Sequence, residues 1–183
     1  LSVAVLGVAE GPVLSARSAS AGDELWLLVN RSGRFYRHYP FWDAATAASP
    51  GLLRSHLSLL PALAADGIVH AAKDISMGGL CGTAVMFAES CGSPITLELD
   101  AIERPDQVDE QAWLRCFPSF GYLLAVRPSM TGRLQRMLQG DPHLICCRIG
   151  SFGSGPCRVA LQREGDQELL WDGSEGLTGF GCD

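Results

Sequence analysis

The sequence predicts an α+β domain, a mixed β-sheet flanked by helices. Short apolar runs of strand type alternate with segments of helical spacing through the middle of the chain. Hairpin-like strand pairs stand at both ends, which a purely parallel layout lacks. The strand–helix–strand runs 68–99 and 120–149 each read as a βαβ crossover, for which the right-handed connection is the rule.

Residues 2–16 alternate weakly around the turn signal Glu10-Gly11-Pro12 and read as two short strands. After a second turn at 21–23, ELWLLVN (24–30) reads as a buried strand. RSGRFYRHYPFWDA then reads as a loop of aromatic and basic character. Ser49 and Pro50 supply an N-cap and a first-turn proline, and Leu52, Leu53, His56, Leu57 and Leu60 follow at helical spacing. Pro61 divides this stretch into two short helices ending near Gly67. IVHAAKDI is the next strand. A helix then runs from about Ser76 to Ser90, with Leu80, Ala84, Phe87 and Cys91 on one side and Gly92 as its stop. PITLEL (94–99) is a strand, 104–117 hold a short helix, FGYLLAV (120–126) is a strand, and Ser129 caps a helix to about Leu138. HLICCRI, CRVALQ and QELLW are the closing strands, and residues 173–183 form a loose tail.

The chain has 183 residues, 47% hydrophobic and 19% charged, which describes one globular domain with a sizeable core. A net charge of −6 argues against a nucleic-acid or anionic-membrane partner. No apolar run approaches the ~18 residues of a membrane span. The apolar opening lacks a preceding basic segment and reads as a strand, not a signal peptide. Leu1 in place of Met reads as processing, or as a piece of something longer. Seven cysteines, at 81, 91, 116, 146, 147, 157 and 182, form no C-x-x-C and no zinc spacing. They read as buried thiols in a reducing cytoplasm, with no metal site assigned.

Chemistry concentrates in HAAKDISMGGLCGT (70–83). A helix beginning near Ser76 leaves N–H groups without internal partners, and these carry partial positive charge. Gly78 and Gly79 let another group approach closely, Lys73 adds a full charge, and Asp74 is placed to orient a hydroxyl. That pattern suits a phosphate or carboxylate. The same residues also describe a tight turn, with Ser76 as N-cap and the glycines serving only packing. Neither a Walker loop nor G-x-G-x-x-G is present. Arg31, Arg34, Arg37 and His38 describe either an anion-binding rim or a solvated loop. His70 reads as a packed strand histidine.

HAAKDISMGGLCGTAVMFAES closely resembles the D-[IV]-S-x-G-G-L segment in the C-terminal domain of the aminoimidazole ribonucleotide (AIR) synthetase superfamily. That group includes formylglycinamide ribonucleotide amidotransferase, selenophosphate synthetase, thiamine monophosphate kinase and a hydrogenase maturation factor. LGVAEGPVLSARSASAGDELWLLV, PSFGYLLAVRPSMTGRLQRML and RIGSFGSG extend the likeness in order along residues 1–172. Within the superfamily the chain most resembles uncharacterised AIR-synthase-like proteins of bacteria.

The resemblance implies an AIR synthetase C-terminal-domain-like fold. It implies that residues 1–172 are the substrate and phosphate side of an ATP-dependent enzyme that activates a substrate by phosphoryl transfer. ATP and Mg²⁺ are then expected mainly in an N-terminal ATP-binding domain, which this chain lacks. Partners are that domain, a small-molecule substrate and a second copy in a full-length homodimer. Alone, the chain is expected to be inactive and to bind no cofactor tightly. Lys73, Asp74, Ser76, Gly78 and Gly79 would face the cleft as substrate- or phosphate-binding residues. No catalytic residue carries over. Where purine-pathway members have a loop similar to SSGxHSNG, only Ser32 and Gly33 echo it, so a purine-pathway substrate is not expected. The alternative is a binding or interaction module that kept the fold without the chemistry.

Overall fold

The computed structural model describes residues 2–174 and 176–178. In chain order the elements are β1 (Glu24–Asn30), β2 (Arg34–Phe35), β3 (Phe41–Asp43), α1 (Pro50–Leu57), α2 (Leu59–Ala65), β4 (Ala71–Asp74), α3 (Gly79–Cys91) and β5 (Ile95–Glu98). They continue as α4 (Glu110–Arg115), β6 (Phe117–Pro118), β7 (Gly121–Val126), α5 (Thr131–Leu138), β8 (Leu144–Phe152), β9 (Arg158–Arg163) and β10 (Asp166–Asp172). The main sheet has the order β10-β9-β5-β8-β1-β7-β4, and β2-β3-β6 form a small second sheet.

The main sheet is mixed. β1 is antiparallel to both β7 and β8, while β5 is parallel to β9. β4 and β5, joined through α3, run the same way with three strands between them; β7 and β8, joined through α5, run the same way across β1. Both crossovers therefore bridge non-adjacent strands.

β1 is apolar along nearly its whole length because both faces of the sheet are covered. Leu25, Leu27 and Val29 enter one core with Leu80, Ala84 and Phe87 of α3 and Trp113 of α4. Trp26 and Leu28 enter the other, with Leu63 of α2 and Leu134 and Leu138 of α5. The expected inner side of α3 is observed: Leu80, Ala84 and Phe87 are buried, and Cys91 packs at the margin. Gly92 ends the helix in the left-handed conformation.

Several local expectations change. Residues 2–16 form no strand and leave Val3, Val5, Leu6 and Val8 exposed. The aromatic–basic loop contains the β2–β3 hairpin, because Phe35 and Trp42 pack edge to face over the core. The first helical stretch breaks at Ser58, not Pro61. Pro61 falls in the first turn of α2, where its missing N–H has no intrahelical acceptor to lose. α3 begins at Gly79, three residues later than expected: Ser76 precedes the helix, its carbonyl accepting the Gly79 N–H (2.9 Å) and its N–H bonded to Thr83 Oγ1 of α3 (3.1 Å). α5 begins at Thr131 after a 3-10 turn at Pro128–Met130, with no side-chain cap from Ser129. The expected loose tail falls partly on residues outside the described ones. Among those described, Leu177 and Thr178 donate backbone N–H groups to buried Glu89 of α3 (2.7 and 3.0 Å). No helix of the described residues is long and apolar enough to cross a membrane.

The packing of α3 is tested at its first buried turn. Leu80→Ala removes a 2%-exposed side chain and is expected to lower unfolding free energy by about 2–5 kcal/mol in urea titration. A loss under about 0.5 kcal/mol, the usual range for exposed positions, would contradict this register.

Candidate functional site

β4 is an edge strand, paired only with β7 in the main sheet. Period-two alternation there places Lys73 and Asp74 on opposite faces, yet both reach one cluster because the strand ends at Asp74. The Lys73 ammonium donates to the Asp74 carboxylate and to Ser76 Oγ (3.2 Å). Ser76 Oγ–H in turn donates to Asp74 Oδ2 (2.7 Å). Burial pushes the Asp74 carboxyl up, but hydrogen bonds from Lys73 and Ser76 outweigh it and hold the group below its ordinary value. Across the strand pair, burial first and the Asp74 charge second push the Tyr122 phenol up.

The two glycines divide. Gly78 is exposed at the head of α3 with φ −73°. Gly79 is buried with φ +66°, a left-handed conformation that favours glycine. Its N–H donates to Ser76 O (2.9 Å), so it is not open to a ligand. A Cβ on Gly79 would meet Leu114 O at 2.6 Å and the backbone of Arg115 at 2.7 Å. Gly79 is therefore where α3 closes on α4. Of the glycine pair, only Gly78 presents an exposed backbone beside Lys73, Asp74 and Ser76.

The basic loop is distributed over several places. Arg34, on β2, pairs in register with Asp43, and the N–H of Arg31 donates to His143 O (2.8 Å). Arg37 sits at the bend of the β2–β3 hairpin with φ +55°, its guanidinium 5.2 Å from the Tyr36 ring centre. A cleft of about 450 Å³ lies between this hairpin and α4, and of the three arginines only Arg37 lines it, with His38 and Tyr39 opposite Asp109 and Arg115.

Two polar networks escaped the sequence reading. Buried His56 lies 3.3 Å from Asn30 Nδ2 through Nδ1 and 3.0 Å from Asp141 Oδ2 through Nε2. Ser32 Oγ and His143 Nδ1 stand 2.9 Å apart beside it. The partners are up to 111 positions apart, and no local spacing marks them. His70, read as a packed strand histidine, bonds the buried Asp23 carboxylate (2.9 Å), which also receives the N–H of Ser20. Here the Gly22-Asp23 turn was the visible signal. Burial pushes the Cys116, Cys146 and Cys147 thiols up to about 12, so they stay protonated and poorly nucleophilic. Cys182 lies outside the described residues. Among the described residues no three His, Cys, Asp or Glu side chains gather to hold a metal ion.

A two-faced mixed sheet with a Lys–Asp–Ser cluster at its β4 edge, beside a glycine-headed helix, defines the class: an α+β domain with a polar cluster where its edge strand ends. The chain belongs to the family described as "AIR synthase related protein, C-terminal domain", which it matches over residues 20–160. It is 38% identical to the uncharacterized protein sll0787 of Synechocystis sp. over 98% of this chain and 56% of that protein. It is 29% identical to the uncharacterized protein MJ0640 of Methanocaldococcus jannaschii over 69% of this chain and 40% of that protein. The chain thus spans about half the length of these relatives. In fold it is similar to T. maritima PurL complexed with ATP, with a TM-score of 0.65 at 13% identity over 87% of this chain and 26% of that one.

The Asp74 cluster has a direct test. By carboxyl NMR, Asp74 is expected to titrate below 3.8, and Lys73→Gln or Ser76→Ala is expected to move it upward. Because folding lowers this value, the cluster favours the folded state above pH 3.8, and that contribution is lost as pH falls through the folded value. An Asp74 titration unchanged by both substitutions would contradict the network.

Proposed function

We propose that this chain is the substrate and phosphate side of a longer ATP-dependent enzyme that activates its substrate by phosphoryl transfer. The observation that supports it best is the Lys73–Asp74–Ser76 cluster beside exposed Gly78, on a sheet edge within the family match. Catalysis of this kind is mostly positioning and electrostatics. Lys73 supplies a cation, Asp74 orients it, Ser76 offers a hydroxyl, and Gly78 leaves room for a phosphoryl or carboxylate oxygen.

Metal chemistry is not assigned to this chain, because its described residues do not gather a ligand set. In this proposal Mg²⁺ and most contacts to ATP belong to an N-terminal domain in the remaining length of the full protein, which acts as a homodimer in the cytoplasm. ATP bound to PurL of similar fold is consistent with such a division. The substrate is a small molecule outside the purine pathway, since Arg34, Phe35 and Tyr36 occupy the region of the purine-type loop.

One observation favours the alternative of a non-catalytic module. Lys73 is already paired with Asp74, and the Gly79 N–H is already bonded, which leaves less free charge than a phosphate site commonly offers. Calorimetric titration of Mg-ATP separates the two. The full-length protein is expected to bind Mg-ATP and release ADP in the presence of substrate, with Lys73→Ala slowing release, while this chain alone gives no micromolar binding. Micromolar binding by the chain alone would overturn the division of labour; a full-length protein that binds no ATP would establish the module.

A further inference from the structure

The cleft between the β2–β3 hairpin and α4 has a firm frame. β3 runs parallel to β6, the strand that follows α4, and the N–H of Phe117 donates to Pro40 O (2.9 Å). Phe41 and Phe117 pack with ring centres 5.1 Å apart, and Trp42 meets Trp113 of α4 edge to face at 5.2 Å. Both walls are thereby anchored in the core.

Its lining combines two chemistries. The rings of His38 and Tyr39 are stacked at 4.7 Å, and Tyr36 continues the stack at 6.3 Å from Tyr39. Tyr36 and Tyr39 remain 46% and 53% exposed. Exposed, nearly parallel rings offer flat faces to another ring. Arg37 and Arg115 supply the charge. Arg133, Arg148 and Arg163 each pair with a carboxylate, whereas among the described residues neither Arg37 nor Arg115 forms an ion pair. Arg115 is steadied by Gln111, through its carbonyl (3.2 Å) and side-chain oxygen (2.9 Å), and both acceptors are neutral. The lining carboxylate, Asp109, is committed to capping α4, where it accepts the N–H of Ala112 (2.9 Å). On a chain with net charge −6, this is a locally basic cleft.

Arg37 is also held in a left-handed conformation, φ +55°, that a residue with a side chain rarely adopts. The hairpin bonds Tyr36 N–H to Phe41 O (2.9 Å) and Tyr39 N–H to Tyr36 O (3.1 Å) keep it there. The effect is to bring a guanidinium and three rings to one tip. Guanidinium groups bind carboxylate and phosphate through paired N–H donors, and rings stack on rings.

We propose that this cleft binds a small planar aromatic ligand carrying a carboxylate or phosphate, with Arg37 and Arg115 on the anion and Tyr39 and His38 against the ring. A volume of about 450 Å³ accommodates one such molecule. The site is separate from the Lys73–Asp74–Ser76 cluster and does not require ATP.

The test is titration of this chain, without nucleotide, with phenyl phosphate, benzoate, phenol and inorganic phosphate, followed by amide NMR shifts. Phenyl phosphate or benzoate is expected to bind about tenfold or more tightly than phenol and inorganic phosphate, with shifts at Tyr39 and Arg115. Arg115→Gln and Tyr39→Ala are each expected to weaken that binding about tenfold, with melting unchanged. Arg37→Gln, on the exposed hairpin, supplies the same test if Arg115→Gln disturbs folding. Inorganic phosphate binding as tightly as phenyl phosphate, affinity indifferent to all three substitutions, or no binding at about 10 mM ligand, beyond the usual millimolar range, would overturn the proposal. Because ATP takes no part, these outcomes are independent of the phosphoryl-transfer reading.

Discussion

Gly79 lies against the backbone of α4 at a distance that admits no Cβ, and much of the molecule is arranged around that contact. Its positive φ lets the chain leave β4, turn through Ser76 and start α3 within five residues. α3 then carries Leu80, Ala84 and Phe87 onto the main sheet. α4, held at the same point, carries Trp113 against Trp42 and so fixes the small sheet to the large one. A side chain at 79 would strain the backbone and push the helices apart together.

The contact also separates two polar regions of different character. On the β4 side, Lys73, Asp74 and Ser76 satisfy one another, and the charge there is balanced. Partly exposed pairs of this kind add little to stability, so their placement at the sheet edge is better explained by orientation than by energy. On the α4 side, Arg115, bonded back to Gln111, lines a cleft whose lining carboxylate, Asp109, caps the same helix. One glycine thus sets the spacing between a neutral, preorganised cluster and a basic one.

Where local chemistry decides structure, the sequence was legible. The apolar run of β1, the spacing of α3, Gly92 as its stop and the three closing strands follow from residues a few positions apart. So do the association of Lys73, Asp74 and Ser76 and the general character of the fold. Gly79 was harder. Two adjacent glycines read equally as room for a ligand or for a helix, and α4, more than thirty positions later, decided for the helix. The N-terminal alternation proved misleading, because alternation without a pairing partner makes no sheet. The Asn30–His56–Asp141 network and the placing of Arg37 and Arg115 on one cleft depend on tertiary juxtaposition, which spacing does not encode.

The most direct measurement is the stability of Gly79→Ala against Gly78→Ala in urea titration, with NMR shifts of α4 recorded alongside. Gly78 has an ordinary φ and is exposed, and a Cβ there would meet Gly82 Cα at 3.2 Å, a milder approach than the one at Gly79, so its substitution is expected to cost about 1 kcal/mol. Gly79→Ala is expected to cost about 2 kcal/mol or more and to shift Leu114 and Arg115. Equal effects at the two positions, with α4 undisturbed, would contradict the role given to this contact.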